Sequence, residues 1–361
     1  MLLHAAYFVM GLVALVAGAE ALVRGASKIA TSFGISPLVV GLTIVAFGTS
    51  SPEIAVSVGA VVNGNSDIAV GNVVGSNVFN VLFILGISAL ITPLAVHAQV
   101  IRQEVPIMIG ASLMLGVMAL DGRVGRWESG FLVALLLGYT VFVVRQSRAE
   151  TAEVRDEYAA GMRRTGSWDD RRAAQVLLMV AGLALLVLGS NWLVDASVAF
   201  ARALGVSDLV IGLTIIAAGT SMPEVATSVM AAVRGERDIA VGNVIGSNTF
   251  NILGCVGLSG LVSDSGLGIA AAVLNFDLWV MIAVAVACLP VFAVGREIGR
   301  GRGLLFLAYY VAYVTYLILG ARQHDALEEY SAIMMGFVLP ITIVTLVAML
   351  IRDQRVRGAG P

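Results

Sequence analysis

Two glutamates stand where a carboxylate needs a reason to be. Glu53 lies in GLTIVAFGTSSPEIAVS (Gly41–Ser57) and Glu224 in GLTIIAAGTSMPEVATS (Gly212–Ser228), each straight after Gly-Thr-Ser-x-Pro in an otherwise apolar stretch. Proline has no backbone N–H and clashes with the carbonyl four residues back, here that of Gly48 or Gly219. Each stretch is therefore expected to break in its middle, gathering carbonyls, hydroxyls and a carboxylate at the break. A charged side chain at mid-membrane costs about 2.5–3.5 kcal/mol on the insertion scale and marks a functional site. The donors gathered there are all oxygen, which suits hard cations such as Ca2+ and Na+. No Cys or His is placed to select zinc or copper. Two carboxylates balance the charge of one Ca2+.

Each stretch is followed by a second shared sequence. Asp67–Asn80 reads DIAVGNVVGSNVFN and Asp238–Asn251 reads DIAVGNVIGSNTFN. On a helix, residues i, i+4 and i+8 share a face. Asn72, Ser76 and Asn80 form such a stripe beside Gly71 and Gly75, and Asn243, Ser247 and Asn251 repeat it beside Gly242 and Gly246. The glycines let a neighbouring helix approach, so that amides and hydroxyls face it. Blander readings apply to the single polar residues. A lone Ser or Thr in a membrane helix usually bonds its own backbone or a neighbouring helix. Asp67 and Asp238 open helices and read best as N-caps. Tyr309, Tyr310, Tyr313 and Tyr316 read as packing residues or interfacial anchors. His4, His97 and His324 form no cluster. Cys255 and Cys288 sit in apolar runs and read as small core residues without a disulfide. None of these readings accounts for a carboxylate duplicated at mid-membrane.

The elements that must position these groups are membrane helices. The chain has 361 residues, of which 58% are hydrophobic and only 13% charged, against roughly 25% charged in soluble domains. That composition defines an all-α polytopic membrane protein and fits a channel, a transporter or a membrane enzyme. Runs near the spanning length of about 20 residues lie within Leu2–Phe33, near Pro37–Val62, Asp67–Ile91, Val100–Leu120 and Trp127–Val144. After a polar stretch, Arg145–Arg172, they resume within Ala173–Leu204 and near Leu209–Val233, Asp238–Val262, Ala270–Val294, Leu304–Gly320 and Ile333–Ile351. The first run lacks a basic n-region and outruns a signal h-region of roughly 7–15 residues. It also has a counterpart in mid-chain, so it reads as the first span.

An offset of 171 residues relates the halves without gaps, with 32 identities in the 49 positions that pair Leu38–Gly86 with Leu209–Gly257. The expected domains are a first five-span repeat (1–146, motif 38–86), a loop (147–172), a second repeat (173–322, motif 209–257), and an extra span with a tail (323–361). Five is odd, so the second half enters the membrane from the opposite side and the repeats are inverted. Inverted repeats with broken helices meeting near the midplane recur in secondary transporters. Lys and Arg placement tests this topology. Of 22 such residues, 18 fall on the side of the Arg145–Arg172 loop and four, Arg123, Arg126, Arg202 and Arg322, on the other. The N-terminus is therefore expected outside, with the 147–172 loop and the C-terminus cytoplasmic, in the plasma (inner) membrane.

The GTSxPE stretches, with GNVVGSNVFN and GNVIGSNTFN, closely resemble the alpha repeats of the cation/calcium antiporter superfamily, in its prokaryotic sodium/calcium exchanger branch. The resemblance covers the first ten spans and is strongest at Leu38–Gly86 and Leu209–Gly257. It implies a tight core of spans 2, 3, 7 and 8, over which spans 1 and 6 slide to alternate access. It also implies a ligand set for Ca2+ and Na+: the carboxylates of Glu53 and Glu224, and oxygens of Thr49, Ser50, Thr220 and Ser221. Carbonyls of Ala46 and Ala217, and the pairs Ser76 with Asn80 and Ser247 with Asn251, complete it. An archaeal member of the family pairs an Asn with an Asp at the last positions, whereas here both are Asn. The resemblance has no counterpart for the extra span.

The resulting expectation is an antiporter that exchanges Na+ for Ca2+ by alternating access, both ions competing for a site built on Glu53 and Glu224. A calcium/proton antiporter and a potassium-dependent exchanger are alternatives. A cation channel is an alternative of another class. An enzyme is disfavoured because no Ser–His or metal–His arrangement accompanies the glutamates. No cofactor beyond the transported ions, no nucleic acid and no obligate protein partner is implied.

Overall fold

The computed structural model describes residues 2–149, 169, 171–204, 215 and 217–358. Among them are ten helices long and apolar enough to cross a membrane. Span 1 is Leu2–Phe33, span 2 Pro37–Val62, span 3 Ser66–Ile91, span 4 Val100–Asp121 and span 5 Arg126–Gln146. Span 6 is Arg172–Ala203, span 8 Arg237–Val262, span 9 Val273–Ala293, span 10 Arg300–Ala321 and span 11 Ala326–Met349. Span 7 is seen as Ala217–Gly219 and Met222–Arg234; its expected first half, like most of the 147–172 loop, lies outside the described residues. Spans 10 and 11 begin earlier than the apolar pattern implies. Their first turns carry Arg300 and Arg302, or Glu328 and Glu329, so these helices start in the polar zone before the apolar run does.

The two halves are joined by reciprocal contacts that respect the inversion. Spans 1 and 6 cross antiparallel, Gly11 against Gly189 and Gly18 against Gly182. A Cβ added at Gly18 would lie 2.8 Å from the Gly182 carbonyl oxygen, and one at Gly182 2.8 Å from that of Gly18. Both helices have 32 residues, about 48 Å at the α-helical rise. That exceeds a hydrocarbon layer of about 30 Å, so both must tilt.

Two short strand pairs tie the loops of one half to the loops of the other. Strand β1 (Leu94–Ala95) pairs with β4 (Glu297–Ile298), and β2 (Arg123–Val124) pairs with β3 (Leu267–Gly268). Each pair must lie on one side of the membrane, which requires an even number of crossings between its strands. That parity holds only when span 7 crosses as well, giving eleven spans: five, an inverted five, and one more. Span 11 packs on the outside, with Tyr330 donating to the Ala312 carbonyl (2.9 Å) and Tyr309 bonded to Thr342.

Spans 2, 3, 7 and 8 form the centre, and the most apolar stretch of span 8 is wholly buried. Small residues make this packing close. A Cβ on Gly246 would lie 2.6 Å from the Leu42 carbonyl oxygen, and one on Gly242 2.9 Å from that of Leu38. Residues 209–213, which match Leu38–Leu42 at the offset of 171, lie outside the described residues. Asp67 and Asp238 do not cap their helices as expected. The cap positions are Asn65 and Glu236, without side-chain capping bonds, and the aspartates sit one position inside the first turn. There they act on the helix dipole instead.

Acid–tyrosine pairs fasten the outer spans of both halves. Spans 4 and 9 open with π-turns, Val100–Glu104 and Val273–Asp277, each ending in an acid. Tyr139 of span 5 donates to Glu104 (2.9 Å) and Tyr313 of span 10 to Asp277 (2.8 Å). Tyr313 is thus a hydrogen-bonding partner as well as a packing residue, while Tyr310 packs on Phe79 and Phe83.

Leu in place of Gly18 cannot be accommodated without separating spans 1 and 6. Gly18→Leu is expected to lower the thermal-unfolding midpoint in detergent by several degrees. An unchanged midpoint would contradict the close backbone crossing.

Candidate cation site

The site begins with two short interruptions. In span 2 the helix Ala46–Thr49 stops at Ser50, which has φ −81° and ψ 2°, and restarts as Ser51–Val62 with Pro52 in its first turn. In span 7 Ala217–Gly219 stops at Thr220 and Ser221, and Met222–Arg234 restarts with Pro223 in its first turn. The proline fits there because the first-turn N–H has no helical partner in any case. Glu53 and Glu224 also fall in those first turns, where the positive end of the helix dipole favours a carboxylate.

The interruptions are smaller than the sequence implies. The Ala46 carbonyl still accepts the Ser50 N–H (2.9 Å), and the Thr49 hydroxyl lies 3.4 Å from the same oxygen. The Gly219 carbonyl accepts the Ser190 hydroxyl from span 6 (2.6 Å). Nothing is described of the Ala217 side chain, and Ala217 itself opens the short helix before the second interruption.

Glu53 and Glu224 are both fully buried. Each carboxylate is held through one oxygen by the other half of the molecule. Ser221 donates to Glu53 Oε1 (2.9 Å) and Ser50 donates to Glu224 Oε1 (3.2 Å). Ser76 Oγ lies 3.3 Å from Ser221 Oγ. The remaining oxygens are Glu53 Oε2, Glu224 Oε2, Asn80 Oδ1, Ser247 Oγ and Thr220 Oγ1. All are buried and have no hydrogen-bond partner among the described residues. Burying a polar group without a partner costs about 1–3 kcal/mol, so each of these five oxygens on the duplicated motifs carries a cost that a further partner would remove. Among the described residues no group of three or more His, Cys, Asp or Glu is gathered; two carboxylates with neutral oxygens are what the centre offers.

The structure also uses residues that the sequence reading passed over. Spans 3 and 8 turn from α to π at the two candidate asparagines, Asn80–Leu85 and Asn251–Val256, and single π-turns often mark functional sites. Between the spans, Asn77 and Asn248 exchange amide-to-backbone bonds (3.2 and 3.3 Å). Asn80 donates to Asn248 Oδ1 (3.0 Å) and Asn251 to Asn77 Oδ1 (3.1 Å). Four amides are thereby locked, with the orientation of Asn80 and Asn251 set by Asn248 and Asn77. Asn72 and Asn243, the first members of each stripe, have another task. They donate to Ser57 (3.1 Å) and Ser228 (2.9 Å), fastening each following helix to the half-helix that carries the glutamate. Asn243 also accepts the Thr49 hydroxyl (3.1 Å). The available signal was duplication, since every one of these residues recurs at the same offset.

Inverted halves, interrupted helices and polar groups meeting in the buried centre define the architecture of a secondary transporter. The sodium/calcium exchanger protein family model matches residues 3–145 and 174–319. Inner membrane protein YrbG of Escherichia coli is 35% identical over 323 residues, covering 88% of this chain and 97% of its own. Sodium/calcium exchanger MaX1 of Methanosarcina acetivorans is 35% identical over 339 residues, covering 85% and 96%. The solved structure of the sodium-calcium exchanger NCX_Mj aligns with TM-score 0.75 at 30% identity, covering 88% of this chain and 99% of that one. The chain belongs to the sodium/calcium exchanger family.

Asn77→Ala and Asn248→Ala each remove a donor and an acceptor from the amide lock. Each is expected to lower the thermal-unfolding midpoint, and the double variant by less than the sum, because the two share partners. Additive shifts would show that the four amides do not act as a unit.

Proposed function

We propose that this chain is a secondary antiporter that exchanges Na+ for Ca2+ through alternating access, with both ions competing for one site. The carrying observation is the set of buried oxygens without partners on Glu53, Glu224, Asn80, Ser247 and Thr220. All are hard ligands of the kind that Ca2+ prefers, and two carboxylates neutralise one Ca2+. Ser50, Ser221, Thr49, Ser76 and Asn251, with the Ala46 and Ala217 carbonyls, complete the proposed ligand set. Family membership supports the same reading. The sharing of one site supplies the coupling: with no cation bound, two carboxylates are buried in the interior without a counter-charge, and moving the site across the membrane in that state is unfavourable. Either ion removes that penalty, so reorientation follows occupancy.

Spans 1 and 6 are the proposed moving pair. They cross each other through glycines and lie outside the buried four-span centre. In the proposed orientation the N-terminus is external, and the central loop and C-terminus are cytoplasmic, as the distribution of Lys and Arg favours.

Glu53→Gln and Glu224→Gln remove the charge with little change of shape. Each is expected to reduce Ca2+ uptake into sodium-loaded proteoliposomes by at least tenfold while leaving the folded protein purifiable. Uptake at the normal rate in either variant would remove that glutamate from the site.

A further inference from the structure

The two halves of the site are nearly symmetric in sequence, yet their asparagines are not equivalent. Asn80 and Asn251 both donate their amide N–H across the molecule, to Asn248 and Asn77. Their oxygens differ. Asn80 Oδ1 is buried without a partner. Asn251 Oδ1 accepts from the thiol of Cys255, one turn further along span 8 (Sγ–Oδ1 3.5 Å). Cys255 is a free cysteine, fully buried. At the offset of 171 residues its mirror position is Ile84, a side chain with no donor. The arrangement is thus a difference built into one half only, next to a candidate ligand.

We infer that Cys255 is a specificity-determining residue that weakens Asn251 as a cation ligand and so shifts the balance of the site from Ca2+ towards Na+. The inference rests on the proposed function, since it concerns the same site. An amide oxygen has two lone pairs. The thiol hydrogen occupies one and withdraws electron density from the other. The ion–dipole attraction to that oxygen scales with the charge of the ion, so a divalent ion loses about twice what a monovalent ion loses. Cys255 makes no contact with the ion itself; it acts through Asn251. Asn251 carries no charge, so its amide oxygen is a ligand whose strength a weak donor can tune.

The test is equilibrium Ca2+ binding to the purified full-length protein at several Na+ concentrations, which yields both dissociation constants. Cys255→Ala and Cys255→Val remove the donor while respectively shrinking and filling the space. Both are expected to tighten Ca2+ relative to Na+ by about threefold, as a weak S–H···O bond near 0.7 kcal/mol implies. Cys255→Ser, a stronger donor, is expected to move the ratio the opposite way. Ile84→Cys, which introduces the thiol beside Asn80, is expected to weaken Ca2+ as well. If Cys255 only packs the core, the selectivity ratio will stay at the wild-type value in all four variants, which overturns the inference. A wild-type protein that binds no Ca2+, or whose Ca2+ is not displaced by Na+, instead overturns the proposed function.

Discussion

Everything in the centre of this molecule follows from burying two carboxylates where water does not reach. A charged group in a low-dielectric interior must be compensated, and here each half supplies part of the compensation to the other. Ser221 holds Glu53 and Ser50 holds Glu224, each through one oxygen, which leaves the second oxygen of each to a further partner. The exchange of hydroxyls has a structural consequence. Neither glutamate environment can form within its own repeat, so the halves must dock face to face before either is satisfied.

The close docking explains the distribution of glycine and asparagine. Gly242 and Gly246 allow span 8 to lie against the backbone of span 2, and the amide lock of Asn77, Asn80, Asn248 and Asn251 joins span 3 to span 8. Two kinds of contact are thereby divided between two layers. The inner four spans are fixed by directional hydrogen bonds among buried groups. Spans 1 and 6 meet through glycine backbones at Gly11, Gly18, Gly182 and Gly189, a contact that tolerates sliding better than a lock of amides does. At the loop-side ends span 1 is tied differently: Ser27 donates to Glu236 (2.7 Å), Arg234 pairs with Glu20, and Arg24 pairs with Asp169.

Much of this was legible in the sequence because duplication is hard to produce by chance. GTSxPE twice, at one offset, located the carboxylates; the apolar runs supplied the odd span count and with it the inversion, and the strand pairs β1–β4 and β2–β3 agree with the parity. What was not legible came from contacts between the halves. The roles of Asn77 and Asn248 depend on which helix faces which, and no periodicity states that. The proline breaks looked wider than they are because Ser190 and the Ser50 N–H take up carbonyls that the local chain alone would leave open. The expected caps Asp67 and Asp238 failed by two residues, since helix starts here extend beyond the apolar pattern. Cys255 read as a core residue because its partner, Asn251, was seen only as a ligand.

The central claim is that one site couples the movement of two ions, and the driving gradient tests it most directly. In proteoliposomes preloaded with Na+ and diluted into Na+-free medium containing Ca2+, the account predicts saturable Ca2+ uptake that stops when the sodium gradient is collapsed. An imposed pH gradient alone should give none. Calcium uptake driven by the pH gradient, or uptake that persists without any counter-ion, would contradict it.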